Sequence, residues 1–201
     1  MRGGEPGAGR RRLPAGRPAT IGTTAPPVSR TVARTARLVV RWFEPDDAAF
    51  VLRLLNEPSW IRFIGDRKVR DVEGARAYLD RGPIDSCRRH GFGLNLVALR
   101  DGGTPIGMCG LIRRETLPDV DVGFAFLPEY WGQGYAREAA AAVLDHGRRV
   151  LGIGRIVAIL APDNVRSARL LDRLGFRAAG RVKMPPDDEE LLHYVSETGL
   201  P

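Results

Sequence analysis

A glycine-rich turn is the part of this 201-residue sequence whose residue types and spacing point most directly to chemistry. The stretch EYWGQGYAREAA, residues 129–140, places Gly132 and Gly134 between an apolar run and an alanine-rich stretch. The first backbone N–H groups of a helix have no partners within it, and glycine lets a ligand approach them closely. Because the helix dipole adds positive character there, the turn predicts a phosphate site, with an ordinary helix start as the alternative.

Two common phosphate loops do not fit this turn. No Gly-Lys-Ser or Gly-Lys-Thr follows it, and the G-x-G-x-A spacing lacks the third glycine of the dinucleotide-binding fingerprint.

Other residues do not suggest metal or nucleophilic chemistry. The three histidines and two cysteines are scattered, and no serine or cysteine lies beside a histidine at a recognisable nucleophile turn. We therefore predict no metal site and no nucleophilic catalysis.

The turn needs a strand before it and a helix after it, and the sequence predicts both. Residues 119–127 have the pattern of a strand that is apolar on both faces, residues 134–152 that of a helix, and residues 155–161 that of a second strand. A strand, a helix and a strand in succession form a right-handed crossover between two parallel strands. The turn then lies at the end of the first of these strands.

The remaining segments predict antiparallel strands and three more helices. Asp101-Gly102-Gly103 is a strong hairpin signal, and Gly82-Pro83 should end or kink the second helix. The predicted fold class is α/β of the α+β type, a mixed and mostly antiparallel sheet flanked by helices. The further strands are expected over 37–43, 92–100, 104–114, 177–184 and 190–197, and the further helices over 44–57, 71–91 and 164–176.

Composition divides the chain into a basic tail and a nearly neutral domain. The formal net charge is +7, but residues 1–34 carry seven arginines against one glutamate, which leaves +1 for the rest. The tail is rich in Gly, Pro and Arg, so we predict a disordered segment over 1–34 and a single domain over 35–201, with order beginning near Arg37. No apolar run is long enough to span a membrane. We do not expect the domain to bind nucleic acid, and we expect a cytoplasmic location.

The sequence resembles the GNAT superfamily of acyl-CoA-dependent N-acetyltransferases over about residues 37–196. Three blocks carry the resemblance: VGFAFLPEYWGQGYAREAA, RIVAILAPDNVRSARLLDRLGF and RLVVRWFEPDDA. In the second block Asn164, Ser167, Leu170, Leu171 and Gly175-Phe176 fall at the family's spacing. The segment PEYWGQGYAREA looks like the branch that includes ribosomal-protein N-terminal acetyltransferases. The resemblance implies a GNAT-like fold whose central pair of parallel strands splays apart.

The resemblance also implies where acetyl-CoA, the acyl donor, would bind. Backbone N–H groups from 133 to 137 would hold the CoA pyrophosphate, and main-chain groups at the end of strand 119–127 would pair with pantetheine. Asn164 would bond the same arm from the other side. Arg137 or Arg169 would neutralise a phosphate, with a solvated helix surface as the alternative. The implied binding residues are Phe126, Leu127, Gln133, Gly134, Tyr135, Ala136, Arg137, Asn164 and Ser167.

Acetyl transfer to an amine needs a base, because less than about 0.1% of a lysine-like amine is neutral at pH 7. Asp121, at the start of the splayed strand where the family often has Glu, is the expected base or amine anchor. Glu115 and Glu138 are weaker candidates. The position of the family's tyrosine acid is Leu171 here, so Ser167 becomes the candidate acid for the thiolate, with a role in starting its helix as the alternative.

The sequence thus predicts an acetyl-CoA-dependent N-acetyltransferase that acts on a primary amine, either a protein N-terminus or a small molecule, by direct attack on the thioester. The acceptor pocket is expected to be lined by residues 57–92 and the strand ends. Trp60 and Phe63 would belong to it, with core packing as the alternative for both. A catalytically inactive CoA-binding regulatory module is the second reading, and an RNA-binding protein acting through its basic tail is the third. A homodimer through the final hairpin is compatible with the sequence.

Overall fold

The computed structural model describes residues 30–185 and 189–197, and the strands of these residues form one sheet. The strands are β1 Thr31–Arg34, β2 Leu38–Trp42, β3 Leu94–Leu99, β4 Pro105–Ile112, β5 Val120–Phe126, β6 Arg155–Leu160, β7 Arg177–Met184 and β8 Glu189–Glu197. The helices are α1 Ala48–Leu55, α2 Pro58–Ile64, α3 Val72–Leu79, α4 Asp85–His90, α5 Tyr135–Arg149 and α6 Val165–Arg173. Short 3₁₀ turns lie at Pro45–Asp47 and Pro128–Tyr130, and a π-helical turn at Asp80–Ile84.

The sheet has the order β1-β2-β3-β4-β5-β6-β8-β7, and β5 and β6 are its parallel pair within the described residues. These two strands pair only at Val120 with Ile156 and at Asp121 with Val157, although both continue for several residues. They therefore separate towards their carboxyl ends, and α5 makes the crossover between them. The predicted mixed, mostly antiparallel sheet with a splayed parallel pair is confirmed.

Two apolar clusters cover the two faces of the sheet. On one face α5 and α6 contribute Val143, Leu144 and Leu171, which pack with strand residues such as Val122. On the other face Leu54 of α1 and Leu79 of α3 form a second cluster, which includes Leu96 of β3 and Met108 of β4. Because side chains alternate along a strand, the members of β5 are divided between the two faces. The sheet is thus the shared layer between the two clusters.

The prediction that order begins near Arg37 is wrong by a few residues. Thr31–Arg34, assigned to the disordered tail from sequence, forms the edge strand β1, which pairs antiparallel with β2. Val32 and Ala33 pack against the core cluster beneath them. Four residues give too short a pattern to predict a strand, and pairing with β2 supplies what the local sequence lacks. The rest of the predicted tail, residues 1–29, lies outside the described residues.

The helical segments between β2 and β3 follow the sequence with two differences. The connection predicted after the first helix contains a further short helix, α2, which Pro58 starts in its first turn. The second predicted helix, 71–91, continues through Gly82-Pro83 as α3, the π-helical turn and α4. Proline has no N–H and clashes with a regular α-helical turn, so the irregularity at Pro83 confirms the predicted kink.

Candidate active site

The glycine turn has the backbone shape that a phosphate cradle requires. Gly132 and Gly134 adopt positive φ angles of 76° and 83°, and Gly134 immediately precedes α5. No atom lies within 4 Å of the point where a Cβ on Gly132 would stand, so the space above this backbone is open. At Gly134 the nearest group to the corresponding point is Nη2 of Arg37 at 3.4 Å, so the open side of the turn lies at Gly132.

Arg37 holds this turn in place, although no local sequence pattern marks it as a site residue. Its Nη1 donates to the carbonyl of Gln133 at 3.0 Å, and its guanidinium stacks on the ring of Tyr135 with 4.4 Å to the centroid. Its Nε donates to Oε2 of Glu138 at 2.7 Å. Arg37 precedes β2, about 100 residues before the turn, so only the folded sheet brings the two together.

Glu138 belongs to this bracing, and its surroundings do not favour a role as the base. Its Oε1 accepts from the Thr35 hydroxyl at 2.6 Å and from the backbone N–H of Arg37 at 3.0 Å. Burial raises the pKa of this carboxyl, but the hydrogen bonds from Thr35 and Arg37 outweigh it and leave the pKa below its ordinary value. A carboxylate held charged by several donors is a poor proton acceptor near neutral pH.

At the end of β5 most main-chain groups already have partners. The N–H of Leu127 donates to Ile106 of β4 at 3.0 Å, and the Leu127 carbonyl accepts from Tyr130 at 3.0 Å. Main-chain groups alternate in direction along a strand, so those of Phe126 point away from β4, towards the gap between β5 and β6. The Phe126 carbonyl accepts from the indole Nε1 of Trp131 at 2.8 Å. Of the two predicted pantetheine contacts, Phe126 is the one that faces the gap.

Asn164 and Ser167 lie at the start of α6, directly after β6. The Oδ1 of Asn164 accepts from the backbone N–H of Ser167 at 3.1 Å, so the asparagine caps the helix. Within residues 30–185 and 189–197 the Nδ2 of Asn164 and the hydroxyl of Ser167 donate to no other group. The cap therefore leaves the Nδ2 amide group of Asn164 and the hydroxyl of Ser167 available to a ligand.

Asp121 lies where β5 and β6 begin to separate, and it is 1% exposed. Its Oδ2 accepts from Nε of Arg114 at 2.7 Å, whereas the buried Oδ1 has no hydrogen-bond partner among the described residues. Burial raises the pKa of this carboxyl to about 6, opposed by the charge and hydrogen bond of Arg114 and by the nearby backbone N–H of Ile159 in β6. The carboxylate is thus a buried group that can exchange a proton close to neutral pH.

The structure groups the predicted residues at two places along the splay. The turn, Phe126, Asn164 and Ser167 surround its open end, and Asp121 lies at its closed end. Asp121 and Phe126 are five positions apart along β5, a distance of about 16 Å along an extended strand. A ligand that reaches from the turn to Asp121 must therefore be long and thin.

The other residues that the sequence suggested for the site lie in the core or on the surface. Trp60 is 4% exposed and belongs to the core cluster of α1 to α3, so its packing role is the one observed. Phe63 lies beneath the guanidinium of Arg62, and Arg62 bridges α2 to Asp163 before α6 at 2.8 Å. Leu171, at the family's tyrosine position, is 1% exposed in the core. The predicted phosphate ligands Arg137 and Arg169 are exposed, and so is the weaker base candidate Glu115.

Within the described part of the chain, no three His, Cys, Asp or Glu side chains are grouped as metal ligands would be. Cys87 and Cys109 are free and buried, and burial raises the pKa of both thiols, to about 11 and about 12. No described helix combines the length and the apolar character needed to cross a membrane.

Comparison with known proteins identifies the family. Residues 37–177 match the family described as acetyltransferase (GNAT) domain. The uncharacterized N-acetyltransferase YnaD of Bacillus subtilis (strain 168) is 30% identical over 149 residues, which are 74% of this chain and 84% of that protein. A GNAT-family acetyltransferase structure from Bacillus anthracis superposes with a TM-score of 0.68 at 25% identity, covering 82% of this chain and 96% of that one.

A third similarity concerns the fold alone. RimL, a ribosomal L7/L12 alpha-N-protein acetyltransferase in complex with coenzyme A, superposes with a TM-score of 0.71 at 18% identity, covering 84% of this chain and 98% of that one. The splayed strand pair, the glycine turn at its open end and these similarities agree. The chain belongs to the GNAT family and is an acetyltransferase.

Proposed function

We propose that the enzyme transfers an acetyl group from acetyl-CoA to a primary amine, on a protein N-terminus or a small molecule, by direct attack of the amine on the thioester. One observation carries the proposal: β5 and β6 pair as far as Asp121 and then separate, with a phosphate-type turn at the open end of the gap. A phosphate group attached to a thin arm suits such a gap, and the reacting end of the arm would reach Asp121.

The residues around the gap fit the donor acetyl-CoA. The N–H groups of residues 133–137 suit its pyrophosphate, and the exposed Arg137 supplies a positive charge beside them. Phe126 and the Nδ2 of Asn164 offer main-chain and side-chain groups to the amides of the pantetheine arm from opposite sides. The binding of coenzyme A by RimL, which shares the fold, supports the same choice.

Asp121 is the proposed base. Oδ2 is held by Arg114, which leaves the unpartnered Oδ1 as the atom that would take a proton from the amine. With a pKa of about 6 the carboxyl is mostly ionised at pH 7 and can still accept a proton from a bound ammonium group whose own pKa falls on burial. The neutral amine then attacks the thioester carbonyl, and the C–S bond breaks as the new C–N bond is completed. The nitrogen loses a second proton in this step, which balances the proton that the departing thiolate takes up.

Ser167 is the proposed acid that protonates the departing thiolate. Its hydroxyl has no protein acceptor among the described residues, and the helix cap uses only its backbone N–H. The buried apolar Leu171 offers no proton at the position where the family often has tyrosine. The likeness in fold to RimL, named for a protein N-terminus, favours a protein N-terminus over a small-molecule amine as the acceptor.

The test combines two measurements on the full chain. Isothermal titration compares acetyl-CoA with CoA, and thiol release is followed over a panel of N-terminal peptides and small primary amines. We expect binding of both ligands and release with one amine class. The variant Ser167→Ala should then lower kcat by about 10-fold or more, as loss of a proton donor does. Thr104→Ala, an exposed change in the β3–β4 turn, is the matched control and should behave as the wild type.

The possible results separate the readings. Binding without release on any amine would favour the regulatory CoA-binding module. No binding of either ligand would overturn the donor site at the glycine turn. Release that is unaffected in Ser167→Ala would remove Ser167 from the mechanism and leave the acetyl transfer intact.

A further inference from the structure

A second concave site lies on the same face of the sheet as Asp121. A cavity of about 260 Å³ separates the helical segment after α3 from the ends of two central strands. Its walls include Tyr78, Arg81, Arg89, Leu94, Ile112 and Arg113. None of these residues belongs to the turn, to Phe126 or to the start of α6, so the cavity is separate from the proposed CoA contacts.

The cavity is strongly basic. Its charged walls carry three arginines against one carboxylate, that of Asp85. Asp85 pairs with Arg89 at 2.9 Å, within the same helix. Arg81 and Arg113 are exposed, and neither pairs with a carboxylate among residues 30–185 and 189–197. Two guanidinium groups are therefore left to bind an anion, which they can do with paired hydrogen bonds.

The cavity adjoins the proposed reaction centre. Ile112, in its wall, is the direct cross-strand partner of Asp121, and cross-strand partners project to the same face of a sheet. Val120 and Val122 pack on the α5 face, so Asp121 points to the face that carries the cavity. Arg114 follows Arg113 directly and bonds Asp121. An acceptor that presents its amine to Asp121 can therefore extend into this basic space.

An irregular backbone builds the cavity wall. Arg81 and Gly82 lie in the π-helical turn Asp80–Ile84, where Pro83 interrupts the α-helical pattern. Single π-helical turns are rare and frequently occur at functional sites. Tyr78 adds a hydroxyl to the wall, and burial raises the pKa of this phenol despite the nearby charges of Arg67 and Arg114, so the group stays a proton donor.

We propose that this cavity binds an anionic group, a carboxylate or a phosphate, on the amine acceptor, with Arg81 and Arg113 as its ligands. The proposal rests on the proposed acetyl transfer to an amine and defines its substrate class: the acceptor carries a negative charge a short distance from the reacting amine. A polycationic amine is disfavoured, because its remaining charges would face uncompensated arginines.

The test uses a series of ω-amino acids of increasing chain length and the matching ω-amino amides, which differ only in the terminal charge. Turnover with acetyl-CoA is measured for the wild type and for Arg81→Gln/Arg113→Gln. The control is Arg149→Gln/Arg177→Gln, a double change at exposed arginines on α5 and β7. At one chain length we expect the acid to exceed the amide by about tenfold in kcat/KM, with the preference lost in Arg81→Gln/Arg113→Gln and kept in the control.

Titration calorimetry without acetyl-CoA gives a readout that does not need turnover. The best ω-amino acid should bind the wild type and lose about tenfold in affinity in Arg81→Gln/Arg113→Gln. Inorganic phosphate should compete with the ω-amino acid for the cavity. If phosphate binds but the enzyme shows no preference between acids and amides, the cavity binds a free anion and not an anionic group of the acceptor. Equal treatment of acids and amides at every length in both assays would overturn the proposal. Carboxylate-dependent binding with no turnover on any amine would instead contradict the acetyl transfer and leave the anion site standing.

Discussion

The indole Nε1 of Trp131 donates a 2.8 Å hydrogen bond to the carbonyl of Phe126, the last residue of β5. The guanidinium of Arg166 in α6 stacks over the same indole ring, 5.1 Å from its centroid. Trp131 follows β5 and Arg166 follows β6, so one side chain connects the two strands at the open end of the splay. In the proposed complex the same carbonyl faces the pantetheine arm.

Replacing Trp131 by Phe removes the indole donor and keeps most of the ring. Because the bond orders the Phe126 carbonyl and the turn that follows it, we expect the Kd for CoA to rise by about 2- to 10-fold, the effect of one neutral hydrogen bond. Titration calorimetry measures it. Trp42→Phe is the control, since Trp42 lies in β2 and stacks with Arg30, away from the turn. Tighter CoA binding by Trp131→Phe would mean that the indole occupies space the ligand needs.

Arg37→Gln should weaken CoA binding by about tenfold, because Arg37 joins Gln133, Tyr135 and Glu138 and so fixes the turn. The free energy of unfolding should fall by less than about 1 kcal/mol, since the guanidinium is half exposed and its ion pair is screened by solvent. Calorimetry and urea unfolding provide the two numbers. Arg149→Gln breaks an exposed pair with Asp145 and should leave CoA affinity unchanged. Wild-type affinity in Arg37→Gln would show that the turn keeps its shape unaided.

Asn164 can be divided into its two functions by choice of substitution. Asn164→Ala should lower the free energy of unfolding by about 1 kcal/mol through loss of the helix cap, and should weaken CoA binding as well. Asn164→Asp and Asn164→Ser keep a capping oxygen but lack the Nδ2 donor, so both should retain stability and lose affinity. Comparing these two also separates the effect of a negative charge. If both bind CoA normally, Asn164 serves only the helix.

Asp121 should make stability depend on pH in an unusual direction for a carboxylate. Its folded pKa of about 6 lies above the unfolded value of about 3.9, so the folded state holds the proton more tightly between these values. Its stabilising contribution is complete below about pH 4 and is lost as the pH rises through 6. Relative to Asp121→Asn, the wild type should lose about 2 kcal/mol of unfolding free energy between pH 4.5 and pH 7 in urea titrations. A constant difference would mean that its pKa is not raised.

The carboxyl group of Asp121 should also determine how kcat/KM depends on pH. A base must be ionised, so kcat/KM of the wild type should rise with pH through about 6, in addition to any rise from the amine itself. Asp121→Asn should lose about 10²- to 10⁴-fold in kcat and the step near pH 6 together. Asp119→Asn, at a partly exposed ion pair with Arg155 just before β5, is the control. A pH step that survives in Asp121→Asn would assign it to another group.

Local sequence determined most of the elements of this protein. Apolar runs and turn residues predicted strands at the positions of β2 to β8, and the apolar spacing predicted α5 and α6 within a few residues. The glycine turn was visible because positive φ angles at the start of a helix leave a strong residue signature at Gly132 and Gly134. These signals are readable because they depend on neighbours within one turn or one strand.

Tertiary structure decided what these elements do together. The strand β1 exists because β2 offers it an edge, and Arg37 braces the turn across about 100 residues of sequence. The sequence presented Asp121 as a polar residue near a strand end, and only the packed sheet shows it buried against Arg114 with a raised pKa. The basic cavity, likewise, joins residues from α3, α4, β3 and β4. Burial and long-range pairing depend on which segments meet in space, so no local pattern can encode them.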